Sequence, residues 1–480
     1  MGSQAISVGI QLVSTIVLAR LLTPEAYGLV GMVMVVIAFA ALFKDLGLSS
    51  ATIQRESITP AQVSVMFWIN ACVGALLSLL VALSAPLVVW FYGKPELLWV
   101  SVALGGNILL SSLGAQHSAL LTRQMRFKDL AVARLSGAVG ALIISCAAAF
   151  AGWAHWALVA GAIGGSVIQT ALFWLFSPWC PGLPQRNTGA RSMVRYGLNL
   201  TGFELVNFFS RNLDNILIGR VWGDAALGFY SRAYRLVLFP VSQIRTPLVA
   251  VAMPALARLQ AEPQRFRNYY CRLLSILALA CMPLSAFIVV GAEPLILTLL
   301  GAKWQAVAPI ASWLAVAAFL QPVAGLFGAV LMAKGLANRH FRCGLASSVF
   351  LTLIFAFSVR HGVEALAIGY ALSGYILFLP VFLYASKGTG IHLSDFFAGV
   401  WRPALASIAS AALVYRLTPH FPPLPPWAEL GVLASVHVFA TVGLFLLLPG
   451  GWRTLCELQG HLRGAVFPGK AKAEPSVADL

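Results

Sequence analysis

Runs of twenty or more residues with almost no charge recur from one end of this chain to the other. Val65 to Tyr92, "VMFWINACVGALLSLLVALSAPLVVWFY", contains no charged residue at all. About 20 apolar residues carry a helix across a bilayer. Inside lipid every backbone polar group must be satisfied within the protein, which leaves helices or closed barrels. These runs are too long and too continuously apolar for the alternating pattern of barrel strands. Composition agrees: only 10% of the 480 residues are charged and 59% are hydrophobic, against about 25% charged in soluble domains. The chain therefore reads as an all-α integral membrane protein.

Apolar windows predict about fourteen transmembrane helices, at 3–22, 28–48, 64–91, 97–121, 130–151, 156–176, 196–219, 234–255, 270–290, 306–332, 340–359, 364–385, 402–418 and 428–449. The first run leads straight into a turn and a second span, with no basic flank, so it reads as a retained helix rather than a leader. The net charge of +16 is explained by topology. Alternate loops hold twenty-two of the 32 basic residues and the intervening loops only eight, while Arg211 and Arg245 fall inside spans. Basic residues mark the loops that stay inside, which puts both termini in the cytoplasm and makes a nucleic-acid partner unnecessary. The seven cysteines show no paired spacing and read as small packing residues.

One stretch is written twice. "VLARLLTPEAYGLV" from Val17 and "LIGRVWGDAALGFY" from Leu217 lie two hundred residues apart, and at that offset Ile16 meets Ile216, Arg20 meets Arg220, Ala26 meets Ala226 and Gly28 meets Gly228. Six spans separate the copies, so both cross the membrane in the same sense. A parallel repeat of this kind predicts two six-helix bundles related by a pseudo-twofold axis along the membrane normal. The expected domains are a first bundle with its basic linker at 1–195, a second bundle at 196–390, two further spans at 391–450, and a partly disordered tail at 451–480.

The seventh span, "YGLNLTGFELVNFFSRNLDNILIGR", is the polar exception. Glu204, Asn207, Arg211 and Asp214 follow at steps of 3, 4 and 3, which places them on one helical face. Each ionised group at a helix centre costs about 2.5–3.5 kcal/mol on insertion scales, so the stripe should face protein or water. Gln4, Ser7, Gln11 and Ser14 give span one a milder version. Two readings stay open. The stripes line a wet cavity in which Arg211, helped by Arg20 or Arg220, receives an anionic group through its forked donors; or Arg211 and Asp214 neutralise each other while Arg20 and Arg220 snorkel to the interface. Arg245, in span eight, is a further cavity candidate. Pro240, Pro247 and Pro254 in that span kink it, either as a hinge or as fixed packing.

No nucleotide-binding, serine-hydrolase or zinc-protease signature is present, and no cofactor or metal is expected. The stretches "LARLLTPEAYGLVGM", "FKDLGLSSATIQR" and "RNLDNILIGRVWGDAALGFYSRAYRL", extended by "FYGKPEL", "LLTRQMRFKDLAVAR", "AMPALARLQAEPQRFR" and "LLGAKWQAVAPI", resemble one known family over most of residues 10–345. The chain is similar to the polysaccharide exporters of the multidrug/oligosaccharidyl-lipid/polysaccharide superfamily, specifically the colanic-acid-type lipopolysaccharide flippases. The resemblance implies a two-bundle, fourteen-helix protein of the bacterial inner membrane. It would turn undecaprenyl-diphosphate-linked oligosaccharides between leaflets by alternating access, coupled to a gradient of H+ or Na+, and could work beside a polysaccharide polymerase. Glu204 and Asp214 are the ion-coupling candidates, and the family motif contains Arg211, Asp214 and Gly228. Members usually carry a basic amphipathic stretch ahead of span one, whereas here Met1 lies almost at its start. Competing readings are a cation-coupled small-molecule exporter of the same superfamily, disfavoured by Arg211, and a membrane polymerase or ligase, disfavoured by short loops.

Overall fold

The computed structural model describes residues 2–44, 52–53, 58–184 and 191–452; the side chains of 2–5, 191–207 and 209–211 lie outside the description. Among the described residues the long elements are all helices: α1 Gly2–Leu21, α2 Pro24–Ala41, α3 Pro60–Tyr92, α4 Leu97–Arg123, α5 Phe127–Phe150, α6 His155–Phe176, α7 Arg191–Arg258, α8 Pro263–Leu299, α9 Val307–Ala333, α10 Ala337–Ser358, α11 Val363–Ser386, α12 Leu393–Leu417 and α13 Pro426–Leu447. Twelve are long and apolar enough to cross a membrane, and α1 adds a shorter apolar stretch, Ile6–Leu21. This is a multi-pass helical membrane protein.

The fourteen expected spans fall on thirteen continuous helices because spans seven and eight run into one another within α7. The sequence reading put a loop at residues 220–233; the structure replaces it with one residue. Gly223, at φ 81° and ψ −170°, turns the chain in a conformation that only glycine holds without strain, and helical geometry resumes at once. Arg232 and Arg235 consequently sit on helix. The first copy of the corner turns differently: Thr23 is extended (φ −89°, ψ 161°) and Pro24 opens α2, using the ring's fixed φ at the first helical position.

The chain forms two compact units, Met1–Ala233 with Leu299–Ile310 and Leu345–Gly369, and Tyr234–Thr298 with Ala311–Gly344 and Tyr370–Leu480. These are drawn differently from the repeat-based division at 195 and 390. The first takes in segments from both halves of the repeat, and the second lies wholly after residue 233. Within the first unit α5 and α6 pack backbone to backbone: a Cβ on Gly165 would come 2.8 Å from the Gly137 carbonyl oxygen, the close approach that small residues permit between membrane helices. Within the second unit the C-terminal spans are tied to α8. Arg267 Nε donates to Asp395 at 2.7 Å, Ser275 Oγ to the Gly399 carbonyl at 3.1 Å, and His437 Nε2 lies 3.0 Å from the Pro283 carbonyl oxygen.

Candidate functional site

The two written-twice corners meet, and each packs on the other's copy of the same residue. A Cβ on Gly28 would lie 1.8 Å from the Asp224 carbonyl oxygen, and one on Gly228 would lie 2.0 Å from the Pro24 carbonyl oxygen. Residues 28 and 228 correspond, and so do 24 and 224. The contact therefore exchanges equivalent partners, as an interface about a twofold axis must. Glycine is required at both places because the first turn of one helix lies against the backbone of the other.

Around this crossing each half reaches into the other's neighbouring loop. Arg20 Nε donates to the Leu299 carbonyl at 3.2 Å. Lys303 Nζ and Trp304 Nε1 donate to the carbonyls of Arg20 and Ala19, at 2.9 and 2.8 Å. These carbonyls end α1 and have no helical partner of their own. In the other direction the Arg220 guanidinium stands 5.6 Å from the centre of the Phe91 ring, and Lys94 Nζ lies 3.1 Å from Asp224 Oδ2. Trp304 is fully buried, edge-on to Tyr27 with ring centres 5.5 Å apart, and Arg232 covers the other ring contact of Tyr27 at 4.1 Å. Trp222 closes the cluster by donating to the Val359 carbonyl at 2.6 Å.

The sequence-selected residues divide accordingly. Arg20 and Arg220 come together with the corner and are engaged by the facing loops. Asp214 is buried; its Oδ2 accepts from the Tyr230 hydroxyl at 2.8 Å, and its Oδ1 from the backbone N–H of Asn215 at 2.8 Å. Gln11 is half-buried, and its carbonyl accepts from Thr15 Oγ1 at 2.8 Å. Arg245 lies in the second unit, with Nη2 donating to the Gly325 carbonyl at 3.4 Å. Glu204, Asn207 and Arg211 lie on helical backbone, but their side chains fall outside the described set. Among the described residues no three His, Cys, Asp or Glu side chains come together to hold a metal ion.

The sequence reading missed Lys94, Lys303, Trp304 and Tyr230. A gapped repeat would have shown the first two, since each lysine follows a helix end with a left-handed glycine, Gly93 (φ 72°) and Gly301 (φ 95°). Ungapped alignment at two hundred residues hides them.

The chain has relatives among known proteins. The family described as polysaccharide biosynthesis protein matches residues 17–309. The chain belongs to this family. Among relatives, it is 29% identical to the teichuronic acid biosynthesis protein TuaB of Bacillus subtilis over 429 residues, covering 88% of each chain. It is 25% identical to the lipopolysaccharide biosynthesis protein WzxC of Escherichia coli, covering 86% of this chain and 85% of that one. Its fold matches the lipid II flippase MurJ in an inward closed conformation, with a TM-score of 0.74 at 13% identity, covering 92% of this chain and 97% of that one. An inward-facing multidrug transporter of the MOP superfamily matches at a TM-score of 0.64 and 15% identity, over 80% of this chain and 94% of that one.

Proposed function

We propose that this family member is a flippase. It moves undecaprenyl-diphosphate-linked oligosaccharide units across the bacterial inner membrane for polysaccharide synthesis, by alternating access. The observation that carries the reading is the reciprocal packing of Gly28 on Asp224 and Gly228 on Pro24. The two copies of the repeat are held against each other at one end of their leading helices, on the side opposite the basic loops. With those basic loops and both termini in the cytoplasm, the lock lies on the outer side. Such a lock would close the outer side while substrate enters from the leaflet in which it is made. The family membership and the relatives in teichuronic acid and lipopolysaccharide biosynthesis support a role in polysaccharide synthesis.

Within this reading the two six-helix halves flank a cavity to which Arg211, Asn207 and Gln11 contribute. Arg211 holds phosphate by its fork. Glu204 and Asp214 bind or release the coupling cation, H+ or Na+, and the Tyr230 hydroxyl on Asp214 gives that carboxylate a partner that shares its proton. A polysaccharide polymerase would receive the delivered unit. The test is reconstitution in vesicles with a fluorescent polyprenyl-diphosphate oligosaccharide added to one leaflet. Wild-type protein is expected to move it, and Arg211→Ala to insert normally while translocating at least ten-fold more slowly. Failure of the wild type to move the lipid while it exports cationic dyes would overturn the proposal.

A further inference from the structure

On α11, in the second unit, four apolar residues left outside the packing fall on one line. Leu372, Ile376, Leu379 and Leu383 follow at steps of 4, 3 and 4, each about half exposed, which makes a single helical face. From Leu372 to Leu383 the line rises about 16 Å, one leaflet of a hydrocarbon core about 30 Å thick. A further step of 4 reaches Lys387, exposed in the turn after the helix. Tyr384, 39% exposed, adds a ring at the level where membrane proteins place Tyr and Trp.

A second helix brings another cation to the same foot. Arg339 Nη1, in the first turn of α10, donates to the Ala385 carbonyl at 3.3 Å and also to the Lys387 carbonyl, serving the unpaired carbonyls at the end of α11. Arg342 lies one turn on from Arg339, on the same face, and is exposed. Among the described residues the side chains of Arg342 and Lys387 make no hydrogen bond or ion pair. Elsewhere at this end of the unit Arg265 pairs with Glu262 at 2.8 Å, Arg267 donates to Asp395 at 2.7 Å, and Lys334 Nζ donates to the Gln260 carbonyl at 3.1 Å. Between Lys334 and Ser394 the one carboxylate in the sequence is Glu364, at the opposite end of α11. Beyond residue 452 the sequence holds four basic residues and three acids, so that stretch adds no net negative charge.

The rule that keeps basic residues inside accounts for cations in these loops, but not for their place at the foot of a lipid-facing line. A phospholipid whose acyl chain follows the α11 line sets its phosphate at the level of Lys387 and Arg342. Cations at that level attract anionic headgroups, and Arg grips a phosphate with two donors at once. A zwitterionic headgroup brings its own cation and gains less.

We propose that the foot of α11 is a binding site for an anionic phospholipid of the cytoplasmic leaflet. Its phosphate is held by Lys387 and Arg342, and one acyl chain lies along Leu383, Leu379, Ile376 and Leu372. The site uses none of the residues assigned above to substrate or coupling ion, so it stands independently of the flippase reading.

The experiment is native mass spectrometry on purified full-length protein in neutral detergent. The separate probes are phosphatidylglycerol, phosphatidylcholine with the same acyl chains, and glycerol 1-phosphate. Wild type should hold one phosphatidylglycerol at least five-fold more tightly than either of the others. Arg342→Gln and Lys387→Gln should each weaken that binding about five-fold and together at least ten-fold, with phosphatidylcholine unchanged. Arg342→Lys should keep most of the binding, which excludes misfolding as the cause, and Leu379→Gln should weaken both lipids. Arg265→Gln removes a cation already paired with Glu262 and should leave binding as in the wild type. Phosphatidylcholine bound as tightly as phosphatidylglycerol would reduce the site to ordinary boundary lipid. An equal loss from Arg265→Gln would reduce it to bulk charge, and glycerol 1-phosphate bound as tightly as the lipid would leave a phosphate site without a lipid; each overturns the proposal. Translocation in vesicles is measured separately, so failure of either reading leaves the other standing.

Discussion

The two corners make one contact with different chemistry. The first turns through Thr23 and Pro24, with no side-chain cap, so its geometry comes from the proline ring. The second turns through Gly223 in a left-handed conformation, and its new helix starts with Asp224. That carboxylate accepts from the Ala225 N–H at 3.0 Å and pairs with Lys94. An acid in the first helical turn also meets the positive end of the helix dipole. What the copies share is the part that touches: glycine at 28 and 228 against the backbone carbonyl at 224 and 24. The repeat preserves the crossing and leaves the means of turning free.

Substitutions can break this comparison, and the largest effect is expected where the two corners share one keystone. Trp304→Ala removes a fully buried ring and the donor to Ala19, and should cost about 3–5 kcal/mol, measured as loss of thermal stability in micelles. Next come the glycines. Gly28→Ala and Gly228→Ala each push a methyl group into a carbonyl oxygen at about 2 Å, for about 1–3 kcal/mol each. If the contact is truly reciprocal the double variant costs clearly less than the two singles combined, since the first methyl already separates the helices. Strict additivity would show that the two glycines act independently.

The turns themselves should behave oppositely. Gly223→Ala forces a side chain into a conformation worth about 1–3 kcal/mol of strain, whereas Thr23→Ala should change stability by only a few tenths, because the Thr23 side chain makes no capping bond. Equal effects in the same melting assay would mean that the corners turn by one mechanism after all. A small effect is also expected from Lys94→Met. Its partner Asp224 is mostly covered but Lys94 is 39% exposed, so the loss should stay near or below about 1 kcal/mol and should vanish at high salt. No counterpart of that salt dependence is expected at Pro24.

Much of this was legible in the residues. Helix number and span order follow from apolar length, because lipid leaves the backbone no alternative. The repeat was visible from Arg20, Gly28 and their counterparts, because close backbone contact admits only glycine and so leaves a mark in the text. The 3, 4, 3 steps of Glu204, Asn207, Arg211 and Asp214 predict a polar stripe on α7, of which Asp214 alone lies within the described side chains. Less visible was the single-residue turn at Gly223. Two spans that meet at a sharp corner look in sequence like two spans and a loop, since Arg220, Arg232 and Arg235 lower the hydropathy of the intervening helix.

What the sequence determined alone was chemistry confined to neighbours along the chain: which segments cross the membrane, which helical faces are polar, and which corner is repeated. Only the tertiary structure decided the partners: Gly28 with Asp224, Trp304 with the end of α1, Tyr230 with Asp214, and Arg339 with the end of α11. The physical reason is that periodicity records the direction in which a side chain leaves its own helix. The helix it meets there is set by packing among segments hundreds of residues apart, and no local pattern encodes that choice.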